Sequence, residues 1–222
     1  EVLRKAGVSV IGLDLLFSVS AESWLKKLNL PGNDMSRTYD IPMRAQLAQG
    51  KVVLAGLLAF NERGESEYLL PLDDYVIVLP DQLASVGLTN MFSDADGVVR
   101  NFIPALFEDD RLPSLTFAPL LAIKTEGLDP KSTGWSLGGS EITKTQSTRR
   151  IGFVGPPKSI PRLSFSRLLS PQADNDSEIQ RLKNKVVIIA TEHTGMQDLH
   201  LTPYSRTFPG WEGEMMSGAE LH

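Results

Sequence analysis

Cysteine is absent from the 222 residues, which removes disulfides, thiol catalysis and cysteine-ligated zinc together. The compartment stays open on that ground, since proteins of oxidising compartments also lack cysteine. No Gly-x-Ser-x-Gly elbow is present to expose a nucleophilic serine, and no Gly-rich phosphate loop of either common type occurs. No apolar run approaches the roughly 20 residues that a membrane-spanning helix needs. Positive charge is in deficit: 22 Lys and Arg face 27 Asp and Glu, for a net charge of −5, and the cations form no basic stripe. A nucleic-acid partner is therefore not expected.

What the chain does have is an apolar fraction of 41%, enough for a real core. Short β-branched runs recur between helical segments. Residues 8–16, 52–57, 151–154 and 186–190 read as core strands, too short for helices and apolar without alternation, as in strands covered on both faces. Between the first two, Asp40 stands as an N-cap with Pro42 in the first turn, Met43 and Leu47 share a face, and Gly50 supplies the stop. Strand, helix, strand at that spacing is a right-handed crossover unit. Short helices are also expected at 2–6, 22–28, 81–85, 165–169 and 178–182. A longer one, capped by Ser114, should run over 115–124 and kink at Pro119. Residues 88–92 and 98–107 read as an antiparallel pair around the Asp96-Gly97 turn, and 128–150 as weak strands around Trp135 and Ile142. The expected fold is a layered α/β sandwich with a mixed, mostly parallel central sheet and an antiparallel hairpin extension, formed by residues 1–222 as one domain.

The stretch 185–203, KVVIIATEHTGMQDLHLTP, concentrates the polar candidates. Its strand, read as central, gives way abruptly to Thr191, Glu192, His193, Thr194, Gln197, Asp198, His200 and Thr202. Ligands of open α/β sheets bind beyond the carboxyl ends of the strands. A solvated loop whose hydroxyls satisfy its own backbone fits the same residues equally well. Asp14 sits inside the first strand, where a carboxylate is costly unless paired, so it either faces a site or anchors the backbone. A candidate cluster follows at one sheet end: Asp14, Thr191, Thr194 and Asp198, with Asn90 and Arg100 as additions and Arg100 as counter-ion to one of the acids. The alternative is a structural clamp that binds nothing. Asp94-Ala95-Asp96-Gly97 fails the calcium-loop pattern, whose later positions fall on Val98, Val99 and Ala105, and is a tight turn. His193, Asp198 and His200 lie in a loop without helical spacing, so no metal is expected there, and no cofactor is expected. Trp24, Tyr39 and Phe60 read as core or rim.

Taken together, several segments resemble the second class of CHASE domains. They are SVIGLDLLF at 9–17, KVVLAG at 51–56, residues 88–90, SDADGVVRNF at 93–102, Pro113-Ser114-Leu115, 151–156 and Phe165-Ser166. Residues 185–190, Thr194-Gly195, Asp198, Thr202-Pro203 and the closing 218–222 continue the series. The resemblance covers nearly the whole chain and rests on order and spacing rather than on one motif. The chain departs from the pattern where a strand that commonly ends in Gly reads Ala190-Thr191, and where 211–216 looks inserted. It also lacks the earlier strand with which such domains begin, so the resemblance implies an excised ectodomain.

The resemblance implies an extracellular or periplasmic sensor in a bacterial membrane receptor, regulating a cytoplasmic cyclase or kinase and not itself an enzyme. Its partners would be an unidentified small-molecule or protein signal, its own transmembrane helices, the output domain and, in a homodimer, a second copy. Apolar segments of about 20 residues are then expected on both sides of the chain, with 213–222 as a loosely held exit. The rival reading is an α/β hydrolase-like enzyme using Asp14, His193 and Asp198.

Overall fold

The computed structural model describes residues 1–19, 25, 27–28, 40–60, 63–108, 111–191, 198–205 and 213–222. Helix α1 (Val2–Lys5) leads into strand β1 (Val10–Asp14), and helix α2 (Ile41–Leu47) returns the chain to β2 (Val52–Phe60). Then come β3 (Ser66–Leu69), the short helix α3 (Asp73–Val76) and β4 (Val86–Leu88). The middle of the chain carries β5 (Asn101–Phe102), helix α4 (Phe117–Thr125), β6 (Gly134–Leu137), β7 (Ser140–Thr143) and β8 (Arg149–Arg150). Helix α5 (Ser177–Gln180), β9 (Val186–Ala190), β10 (Leu199–His200), β11 (Met216–Ser217) and helix α6 (Gly218–Leu221) complete it.

Strands β4, β2, β1 and β9 run parallel in that order, and β3 turns back antiparallel on the distal half of β2. The apolar runs lack alternation because both faces are covered. Val52 and Leu54 pack with Leu47, Tyr75 and Val76 on one face, while Val53 and Ala55 pack with Phe117, Leu120 and Trp135 on the other. The same parity holds in β1: Ile11 and Leu13 join the α2–α3 face, whereas Val10 joins the α4 face. Helix α4 lies almost against the sheet. A Cβ built on Gly12 would come within 2.9 Å of the Phe117 ring, and one on Gly87 within 2.7 Å of the Phe117 Cα. The mixed, mostly parallel α/β sheet expected from the sequence is what the chain forms.

Several local expectations are corrected. Among the described residues Val186–Ala190 is an edge strand, not a central one: β1 is its partner, Val186 is exposed and the rest is half-buried. A β-branched run fits either place, so pattern alone could not separate them. Residues 151–154 join no ladder among the described residues, and Val154 is 80% exposed. Period two survives even so, because Ile151 and Phe153 pack against Val99, Met216 and Leu221. Residues 88–92 do not pair with 98–107. Instead β4 joins the parallel sheet, and β5 pairs antiparallel with β8. Strands consecutive in the chain pair antiparallel at β2–β3 and β6–β7, the latter with Trp135 opposite Ile142. Thr116, not Ser114, precedes α4, and Pro119 falls in the helix's first turn, where its missing N–H has no helical partner to lose. The helix expected at 22–28 falls mostly outside the described residues, as do Trp24 and Tyr39.

Candidate functional site

From β1 the chain builds outward through β2 to β4, then crosses back to place β9 on the other side of β1. Strand order therefore reverses between β1 and β9, the kind of switch point where open parallel sheets leave a crevice at their carboxyl ends. Asp14 closes β1 at this point, in register with Ala190 at the end of β9, and Thr191 follows directly, exposed. Parity aims Asp14 at the α4 face, the side on which Phe117 lies.

Asp198 arrives at the same sheet end from the segment leading into β10. Its charge acts on Asp14, whose carboxyl is pushed up to about 6, first by burial and then by this like charge. Asp198 itself is held below its ordinary value, chiefly by the His200 hydrogen bond (Nε2 to Oδ1, 3.1 Å), which together with His222 and the Gly218 N–H outweighs its own desolvation. Its carboxylate lies directly over Gly218, where an added Cβ would stand 2.5 Å from either oxygen. Only glycine permits that approach. The Gly218 N–H also donates to the Asp198 carbonyl at 3.2 Å, so this loop and the start of α6 are joined twice.

His222 completes the group. Its ring packs on Phe117 with centroids 5.0 Å apart. Burial lowers its pKa to about 4, against the opposing pull of Asp198. The imidazole is thus neutral where an exposed histidine would begin to charge. The result is two carboxylates and two imidazoles gathered from β1, the β10 segment and α6. Such a set offers hydrogen-bond acceptors, donors and uncancelled negative charge. Among the described residues no group of three or more His, Asp or Glu could hold a metal.

The structure brings Asp14, Thr191 and Asp198 to one sheet end and assigns Asn90 and Arg100 elsewhere. Asn90 lies just past β4, where its amide is spent on one backbone residue: Oδ1 accepts from the Leu58 N–H at 2.9 Å and Nδ2 donates to the Leu58 carbonyl at 2.8 Å. It clamps β2. Arg100 is not the counter-ion of Asp14 or Asp198. Its guanidinium forks onto Asp94 at 2.7 Å and Asp96 at 2.7 and 2.9 Å, closing the turn that Gly97 makes at φ 77°. Local spacing won, since partners four and six residues away cost little chain entropy to reach. Thr194 and His193 lie outside the described residues. Gly218 and His222 were missed as site residues, and His200 was weighed only with His193 and Asp198 as a metal set. The signal available for them was a glycine opening the last apolar turn, GAELH, in a chain with three histidines.

A family model described as the CHASE2 domain matches residues 1–222. The chain belongs to the CHASE2 family. It is thereby an extracellular sensory domain of the kind found in signalling receptors, sensory rather than catalytic in class. No curated protein and no solved structure matches it. Among the described residues no helix is long and apolar enough to cross a membrane. The closing segment, expected to be loosely held, is packed instead: Met216 and Leu221 are buried with Val99, and β11 pairs with β10.

Proposed function

We propose that this CHASE2 domain senses its signal at the carboxyl end of the parallel sheet, where Asp14, Thr191, Asp198, His200 and His222 meet. The observation that carries the reading is the double link between Asp198 and Gly218. It joins the switch point of the sheet to α6, the last of the described elements. A ligand that binds one position of α6 more tightly than another shifts the population between them by that difference in affinity. The receptor would pass the shift through membrane helices to a cytoplasmic cyclase or kinase, on the periplasmic or extracellular side of a bacterial membrane. The signal is a small polar molecule or a protein.

A thermal-shift screen of small polar molecules on the purified domain, followed by calorimetry, tests the site. A binder is expected to raise Tm, and Asp198→Ala should abolish the shift while the apo protein stays folded. A binder whose affinity is unchanged in both Asp14→Asn and Asp198→Ala overturns the assignment of the site. Fusing the chain through its natural flanking segments to the receptor's output domain tests the second half. Output activity that ignores both substitutions overturns the transmission step.

A further inference from the structure

Helix α6 is held from two sides by two different chemistries. On one side the Glu220 carboxylate, with a side chain 4% exposed, accepts the Lys158 N–H at 2.9 Å, the Ile160 N–H at 3.3 Å and the Arg162 guanidinium. Desolvation pushes that carboxyl up, but these donors outweigh it and hold it below its ordinary range. This clamp has a cation and two fixed backbone donors, so it stays ionised and closed. On the other side the contact is made by His222 on Phe117 and by Asp198 over Gly218. Among the described residues no lysine or arginine bonds to Asp198 or His222: Arg100 is spent on Asp94 and Asp96, and Lys124, at the far end of α4, bonds to Asp81.

We propose that the second contact is a proton-operated latch. Acidification expels the His222 ring from its seat on Phe117 and frees the C-terminal end of α6, while the Glu220 clamp keeps the helix attached. The inference rests on reading the sheet end as the sensing site, and it names a proton as one signal that site takes.

Of the described groups facing the latch, the burial of the ring and His200 favour this direction and Asp198 opposes it, with burial the largest. A buried imidazole seated on an aromatic face is stable only while neutral, and leaving the seat lets it charge in water. His200 stands on the same side and opposes charging of the seated ring, while Asp198, bonded to His200, favours it. Glu220, on α6 itself, is turned away to Arg162. Asp14, from β1, faces Asp198 and takes up its own proton near pH 6. The seated His222 ring charges in place only at about 4, whereas the freed ring recovers its ordinary 6.5. Release is therefore the easier way for His222 to bind the proton. Glu192 and His193 lie outside the described residues and take no part in the inference.

The latch has a signature that unfolding does not. Docking of α6 should weaken up to about tenfold per pH unit below 6.5, the value His222 recovers when free. The sheet should not follow, because Asp14 gains stability over nearly the same interval. The test is amide hydrogen exchange of the chain between pH 7.5 and 4.5, with protection factors corrected for intrinsic rates, and no ligand added. Protection at the His222 amide, which bonds the Gly218 carbonyl, is expected to fall roughly ten- to a hundredfold between pH 7 and 5. Protection in β1 and β2 should change less than about threefold. His222→Phe keeps an apolar ring on Phe117 and should hold α6 protection level with pH. His222→Gln, smaller and polar, should lower it at every pH without a slope. The ring resonances of His222 give an independent reading and should titrate well below 6. A level profile in the wild type, a fall shared by β1 and β2, or a slope that survives both variants overturns the latch. Because no ligand enters this experiment, its failure leaves ligand sensing at the sheet end standing. A failed ligand screen likewise leaves the latch to be judged on exchange alone.

Discussion

Asp94 and Asp96 share a turn, Asp14 and Asp198 share a sheet end, and the two pairs are resolved in opposite ways. In the turn, Arg100 bonds to both carboxylates, Asn101 donates to Asp94 at 3.1 Å, and the Val98 N–H reaches Asp96 at 3.2 Å. Every strong acceptor is taken by a group nearby in sequence. At the sheet end no arginine or lysine bonds to either acid among the described residues, and the pair differs in its proton affinity, Asp14 raised and Asp198 lowered. The two regions are neighbours, since the Val99 N–H donates to the Leu201 carbonyl just past β10 at 2.7 Å. The difference is thus one of chemistry rather than of place. A closed pair holds a turn, whereas an open pair leaves charge for something else to meet.

The comparison can be broken at its foundation first. Phe117 is fully buried, touches Gly12 and Gly87 and carries His222, while the turn owes it nothing. Phe117→Ala is expected to cost about 3–5 kcal/mol in urea unfolding, to return the His222 pKa toward 6.5, and to leave the Arg100 contacts intact by NMR. An unchanged His222 titration would remove Phe117 from the account of the site.

Asp14→Asn comes next. Folded Asp14 keeps its proton up to about pH 6, while the unfolded chain releases it near 3.8. Its contribution is therefore most favourable below 3.8 and is lost as pH rises through about 6. The substitution should stabilise the protein at pH 8 by up to about 3 kcal/mol, the equivalent of that shift, and do almost nothing at pH 4. His222 runs the other way, its contribution complete above 6.5 and lost as pH falls to about 4. Removing Asp14 should thus expose a loss of stability below pH 6.5 that the wild type conceals. Equal effects at pH 8 and pH 4 would refute the desolvated-carboxyl account.

Gly218→Ala tests the close approach. The new Cβ would displace the Asp198 carboxylate, at an expected cost of about 1–2 kcal/mol, and the Asp198 pKa, held down by its present contacts, should rise. A neutral result with the Asp198 titration unmoved would show that Asp198 has room to spare. The smallest effect is expected at the turn. Arg100→Met should lower the urea midpoint only slightly, because the ion pairs are solvent-screened. It should leave the Asp14 and His222 titrations where they are. If either moves, the two carboxylate pairs are one network and the comparison fails.

Much of the scaffold was legible in the residues themselves. Unbroken apolar runs in β1 and β2 announced strands covered on both faces, and Asp40, Pro42 and Gly50 bracketed α2, because helix ends and buried strands depend on groups within a few positions. Trp135 and Ile142 marked the β6–β7 hairpin for the same reason. Asp14 and Asp198 could be named because an acid at the edge of an apolar strand, and another in the polar run after a second strand, are locally conspicuous. The partners of those acids were not legible. That β9 is an edge strand, that Arg100 serves its own turn, that Asn90 clamps Leu58, and that Gly218 and His222 close over Asp198 all depend on which distant segments meet. Burial and long-range approach are properties of the assembled sheet. They set the proton affinities of Asp14 and His222, which composition alone leaves at ordinary values.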